Sequence, residues 1–111
     1  MNEDLSKLHD LLSAQHQALY EMMDTADSDT MDVLMTEMRE LRHRIDLVQG
    51  LLFRATNQKL SNLVKEIDDA NTDLTQALAT VTKATNIIKS VGKFLTLVDK
   101  ALDLAKTLAV I

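Results

Sequence analysis

Three histidines and a dense run of aspartates are the side chains of this 111-residue sequence with the most obvious capacity for chemistry. Imidazole titrates near neutrality and is the commonest metal ligand. Glu40-Leu41-Arg42-His43 has the Glu-x-x-His spacing with which di-iron helical bundles aim a carboxylate and an imidazole into their interior. Such a site needs the motif twice, and the chain carries it once. The hydrophobic register also turns both residues outward, with Glu40 at c and His43 at f. His9 and His16 share one helix flank, but two turns separate them by about 10.5 Å, too far for one ion. Asp27, Asp29 and Asp32 imitate a calcium loop only in part: Met31 and Asp32 stand where Asp or Asn and then Gly are needed, and the closing Glu is missing. Cysteine, a glycine-rich phosphate loop and a nucleophile elbow are all lacking. The expectation is a non-enzyme with no metal and no cofactor.

Composition then defines the elements that carry these side chains. There is no proline, glycine occurs only at Gly50 and Gly92, and 46% of residues are hydrophobic, so helix is favoured nearly throughout. No segment alternates with period two for long, which disfavours strands. Net charge is -5, with Tyr20, Phe53 and Phe94 the only aromatics, a poor match to a nucleic-acid surface. The charge is uneven: up to Glu37 Lys7 is the only base, whereas residues 38–65 are basic. Attraction between these stretches would suit a first helix lying antiparallel to a second. The acidic opening Met-Asn-Glu-Asp-Leu-Ser is unlike a signal peptide, so a cytoplasmic location is expected, with secretion lacking such a peptide left open. The apolar stretch Ile87 to Ile111 carries Lys89, Lys93, Asp99, Lys100, Asp103 and Lys106, too many charges for a simple membrane span.

Hydrophobic spacing fixes a helical plan. Leu5, Leu8, Leu12, Gln15, Leu19 and Met22 step by three and four, predicting a helix over about 3–24. Asp24 to Thr30 is a polar loop supplying an N-cap at Ser28 or Asp29. Met31, Leu34, Met38, Leu41, Ile45, Val48 and Leu52 predict a second helix over about 29–57. A four-four stutter through Leu52, Thr56 and Leu60 allows a turn or a continuous helix. From Leu60 to Ala109 the seam never misses: Leu60, Leu63, Ile67, Ala70, Leu74, Ala77, Val81, Ala84, Ile88, Val91, Leu95, Val98, Leu102, Ala105, Ala109. Unbroken, that helix would span roughly 75 Å. Candidate breaks are the polar run 68–73 and Gly92, giving helices over about 60–90 and 93–110.

The expected fold is therefore all-α: a single domain forming an antiparallel bundle of three to four helices, or a long coiled-coil hairpin. Alanine at Ala70, Ala77, Ala84 and Ala105 weakens the third seam, because each removes apolar area at about 0.8 kcal/mol per CH₂. Beyond Ile87 apolar residues wrap most of the helix. These features predict a helical interaction module, self-associating or docking a protein partner through its last helix, with an accessory, inhibitor, immunity-type or assembly role. Phe94, Leu97, Leu104 and Leu108 are the expected anchors, and Met23 and Met35 the adaptable apolar residues beside the seams. The alternative is a membrane-surface protein using the lysine-flanked 87–111 segment as an interfacial helix.

Overall fold

The structure, a computed structural model, describes residues 2–80 and 83–111. Four helices form it: α1 (Glu3–Met22), α2 (Ser28–Leu51), α3 (Gln58–Thr80) and α4 (Ala84–Lys106), with a single 3-10 turn, Met23–Thr25, after α1. α1 packs on α2, α3 on α4, α1 on α3 and α2 on α4, so the pairs α1/α4 and α2/α3 lie across the diagonals of a square bundle. Successive helices run antiparallel, which makes the side-by-side neighbours α1 and α3 parallel, and likewise α2 and α4. Residues 52–57 therefore cross the diagonal of one end. The result measures 46 × 22 × 17 Å.

Leucine-rich stripes drive the assembly. Leu5, Leu8, Leu12 and Leu19 of α1 and Leu34, Leu41 and Val48 of α2 are fully buried, together with Leu60 and Ile67 of α3 and Ile87, Val91 and Val98 of α4. Each buried leucine contributes about 1.5–3 kcal/mol of transfer free energy, and only a shared core lets all four helices collect it. Caps set the helix ends. Asn2 Oδ1 accepts from the Leu5 N–H at 3.1 Å, Asp27 Oδ1 from Thr30 at 2.8 Å, and Asn57 Oδ1 from Leu60 at 2.9 Å. Each satisfies a donor that a helix start leaves free.

One end is tightly stitched. The Asn2 N–H donates to the Leu52 carbonyl at 3.0 Å, and its side-chain amide donates to the carbonyls of Arg54 and Ala55, both at 3.1 Å. The tail after α4 returns to the same connection: Arg54 and Val110 form an antiparallel bridge, Ile111 N–H donates to Phe53 at 2.8 Å, and Arg54 Nη1 donates to the Leu108 carbonyl at 2.8 Å. Asp4 Oδ2 accepts from Ser61 Oγ at 2.7 Å and also from Thr56 Oγ1.

Two polar inserts hold parallel neighbours in register. Gln15, 2% exposed, donates from Nε2 to Asn71 Oδ1 at 2.6 Å and to Thr75 Oγ1 at 3.1 Å, while its Oε1 is buried without a partner. Between α2 and α4, Arg44 forks onto Asp99, Nε to Oδ1 at 2.8 Å and Nη2 to Oδ2 at 3.0 Å, and reaches Glu40 Oε2 at 2.9 Å. Bidentate pairing of this kind fixes orientation as well as distance.

Several boundaries differ from the sequence plan. α2 stops at Leu51, so the stutter near Leu52 marks a real break. Neither the 68–73 run nor Gly92 interrupts a helix. Two of the 68–73 polar side chains engage a neighbour, Asp68 pairing with Lys7 at 2.8 Å and Asn71 accepting from Gln15, while Thr72 Oγ1 donates back to the Asp68 carbonyl within the helix, a bond compatible with helical backbone. The long seam divides between Thr80 and Ala84, where Thr80-Val81-Thr82 strings together β-branched residues of low helix propensity. Val81, one of the expected seam residues, lies outside the described residues. In α4 the seam residues Val91, Leu95, Val98, Leu102 and Ala105 are buried as expected, but Ile88 is exposed and the neighbouring stripe of Ile87, Phe94 and Ala101 turns inward as well. Finally, the acidic α1 forms no direct ion pair with α2 among the described residues; its lysine reaches α3 instead.

Candidate docking groove

Between α3 and α4, on the outer face, the bundle leaves an apolar trench. On α3 its wall is Leu63, Glu66, Ala70, Asp73 and Ala77, residues stepping by three and four. On α4 the opposing wall is Ser90, Lys93, Leu97 and Leu104, with Phe94 beneath. One stretch, lined by Ala70, Asp73, Leu74, Ala77, Ser90, Lys93, Phe94 and Leu97, encloses about 350 Å³. A second, nearer the stitched end, involves Lys59, Asn62, Leu63, Glu66 and Leu104 and encloses about 420 Å³. The trench exists because Ala70 and Ala77 occupy positions where leucines would meet Leu97 and close it. Small side chains bring helix backbones near one another but leave the flank unfilled.

Its rims have opposite charge. Glu66 and Asp73 stand on the α3 side, with Lys59 as the exception near the stitched end; on the α4 side Lys93 lines the trench and Lys100, seven residues on, follows the same stripe beyond its lining. Antiparallel packing levels Asp73 with Lys93, and seven residues further along levels Glu66 with Lys100. None of these four joins an ion pair among the described residues.

The expected interface residues divide into groups. Leu97 and Leu104 are half-buried in the α4 wall. Phe94 is 1% exposed, so its ring belongs to the core and floors the trench; it does not stand out as an anchor. Leu108 lies beyond α4, where its carbonyl accepts from Arg54. Met23 is half-buried in the 3-10 turn, and Met35 is exposed on α2; neither lines the trench. The α3 wall was absent from the anchors expected from sequence, although alanines at alternate seam positions with acids one place before Ile67 and Leu74 were its signal. Tyr20, Phe53, Ile88, Val110 and Ile111 are further exposed apolar residues outside the trench.

The candidate chemical groups are otherwise occupied or scattered. Glu40 pairs with Arg44, and His43 is exposed. His9 lies near Gln49 at 3.4 Å, in the α1/α2 crease. Asp27 spends its carboxylate on capping α2, and the bonds from Thr30 hold it below its ordinary range. Among the described residues no three histidines or acids are placed to hold a metal ion. Glu37 is an unforeseen feature: it is 9% exposed on α2, and burial, reinforced by Glu40 and opposed by Arg44, pushes its carboxyl up. No described helix is long and apolar enough to cross a membrane. Compared with models of protein families, with curated proteins and with solved structures, the chain matches none.

Proposed function

We propose that this protein is a non-enzymatic interaction module that receives an amphipathic α-helical partner surface in the α3/α4 trench. The observation that carries this reading is the apolar trench with Ala70 and Ala77 in its α3 wall, where Asp73 on one rim stands opposite Lys93 on the other. A helix bearing large apolar residues at three-four spacing would fill the space opposite Ala70 and Ala77, and its charged flanks would meet both rims. Leu97 and Leu104 are the anchors, with Phe94 supporting them from below. The apolar residues of α4 that would feed an interfacial membrane helix are mostly turned into the core, including Ile87, Val91, Phe94 and Val98.

Site-specific photo-crosslinking in cells that express the chain tests this. A photoreactive phenylalanine analogue replaces Leu97 in one variant and the exposed Gln17 of α1 in another. The expected result is one discrete adduct from position 97, suppressed by Ala70→Arg, whose crosslinked segment shows apolar residues at helical spacing. No adduct at 97, equal capture at 17, or a segment without that pattern would overturn the reading.

A further inference from the structure

We infer that the surface received by the trench is the same face of a second copy of this chain, related by a two-fold axis parallel to the bundle. This rests on the docking reading above and names its occupant. Shape and charge both select that arrangement. With the axis parallel to the helices, α3 of one copy lies across α4 of the other at matching level. Leu97 then projects toward the space left by Ala70 of the second copy, because the antiparallel pairing that forms the trench sets residues 70 and 97 side by side. The same operation sets Asp73 against Lys93 of the second copy and Glu66 against Lys100, and symmetry repeats each pair. An axis running across the helices does the reverse. It stacks α3 on α3, so that alanine faces alanine over an unfilled gap and the acidic rims oppose one another.

Size is compatible with a stable dimer. Helices of this length extend about 34 Å, and a two-helix face is about 20 Å wide, so roughly 700 Å² per copy is covered, near the usual 800 Å² per partner. Leu97 on α4 against Ala70 on α3 makes the middle of the face self-complementary, as an isologous contact requires, while Leu104 meets Leu63 toward the stitched end.

Sedimentation equilibrium on the purified full chain, across the micromolar range, is the test. The wild-type chain should dimerise. Asp73→Lys and Lys93→Asp, each at an exposed rim, should stay helical by circular dichroism. Each should weaken dimerisation about tenfold or more, because two symmetry-related attractions become repulsions. Mixed together, the two variants should associate again, since each supplies the charge that the other lacks. A wild-type chain that stays monomeric overturns the inference, as does a dimer indifferent to both substitutions or a mixture that fails to associate. The two readings fail separately. A monomer whose position 97 still crosslinks to a helix of another protein removes the second copy and keeps the docking trench; a monomer with no such adduct removes both.

Discussion

The α1/α2 hairpin and the α3/α4 hairpin contain helices of similar length around one core, yet different kinds of residue line their outer creases. In α1 leucine fills the inward stripes apart from Gln15, with Leu8, Leu12 and Leu19 fully buried and Leu11 nearly so. The outer crease of that pair is lined by the polar residues Ser6, His9, Asp10 and Gln49 and the edge of Leu52, whose surface offers no row of large apolar side chains. In α3 the alternate seam positions are Leu63, Ala70 and Ala77, two of them alanine, and all three stay half-buried. Core burial therefore demands one or two leucine stripes per helix. A third stripe decides whether the flank closes, stays wet, or waits for another surface.

The comparison can be broken most severely in the core. Phe94→Ala should cost about 3–5 kcal/mol and Leu41→Ala about 2–5 kcal/mol in urea unfolding, whereas Leu97→Ala, on the trench wall, should cost under about 1 kcal/mol. Equal losses at Phe94 and Leu97 would erase the distinction between floor and wall. Ala70→Leu sharpens the contrast. Adding bulk to an open trench should change stability by no more than about 1 kcal/mol, whereas overpacking a filled core typically costs about 1–3 kcal/mol. Gly92→Ala and Gly50→Ala should each stabilise by up to about 1 kcal/mol, because a Cβ at either position meets nothing within 4 Å and alanine is the better helix former.

The smallest expected effect depends on pH and concerns Glu37, on the α2/α4 side. Burial raises its pKa above the ordinary 4.5, so the folded chain holds that proton more tightly than the unfolded chain does. The associated stability is complete below about pH 4.5 and is lost as pH rises through the folded value. Glu37→Gln, which stays neutral, should therefore melt higher than the wild type at pH 7, with the gain shrinking toward pH 4. A gain that is the same at both pH values would show that the effect is not ionisation.

How far each region can be read from sequence follows from the range of the forces involved. The all-α class and the extent of α1 come from periodicity and capping, which are local, and both are visible in the residues. The breaks are harder. Gly92 costs a helix about 1 kcal/mol, which packing by Val91, Phe94 and Leu95 outweighs. The run 68–73 stays helical because Lys7 and Gln15, more than fifty residues away, satisfy its side chains. Such partners have no local signature. Phe94 teaches the same lesson in reverse: its apolar surroundings are plain in sequence, but whether they face inward or outward depends on the rotation of α4, set by α2 and α3. The trench was half legible: Leu97 and Leu104 of its α4 wall stood among the expected interface residues and the alanines of α3 marked missing volume, but that the two walls face one another depends on tertiary packing.

The stitched end bears on the order and lifetime of folding. Residues 2, 54 and 110 meet there, so it ties three segments together, each more than fifty residues from the next. Bringing three segments together costs loop-closure entropy before the bonds reward it, and the expectation is that this end closes late on the folding route. Interactions that form after the rate-limiting barrier mainly slow unfolding. The Asn2 and Arg54 hydrogen bonds thus act as a latch: Arg54→Ala should leave the folding rate nearly unchanged in stopped-flow measurements and shorten the lifetime of the folded state.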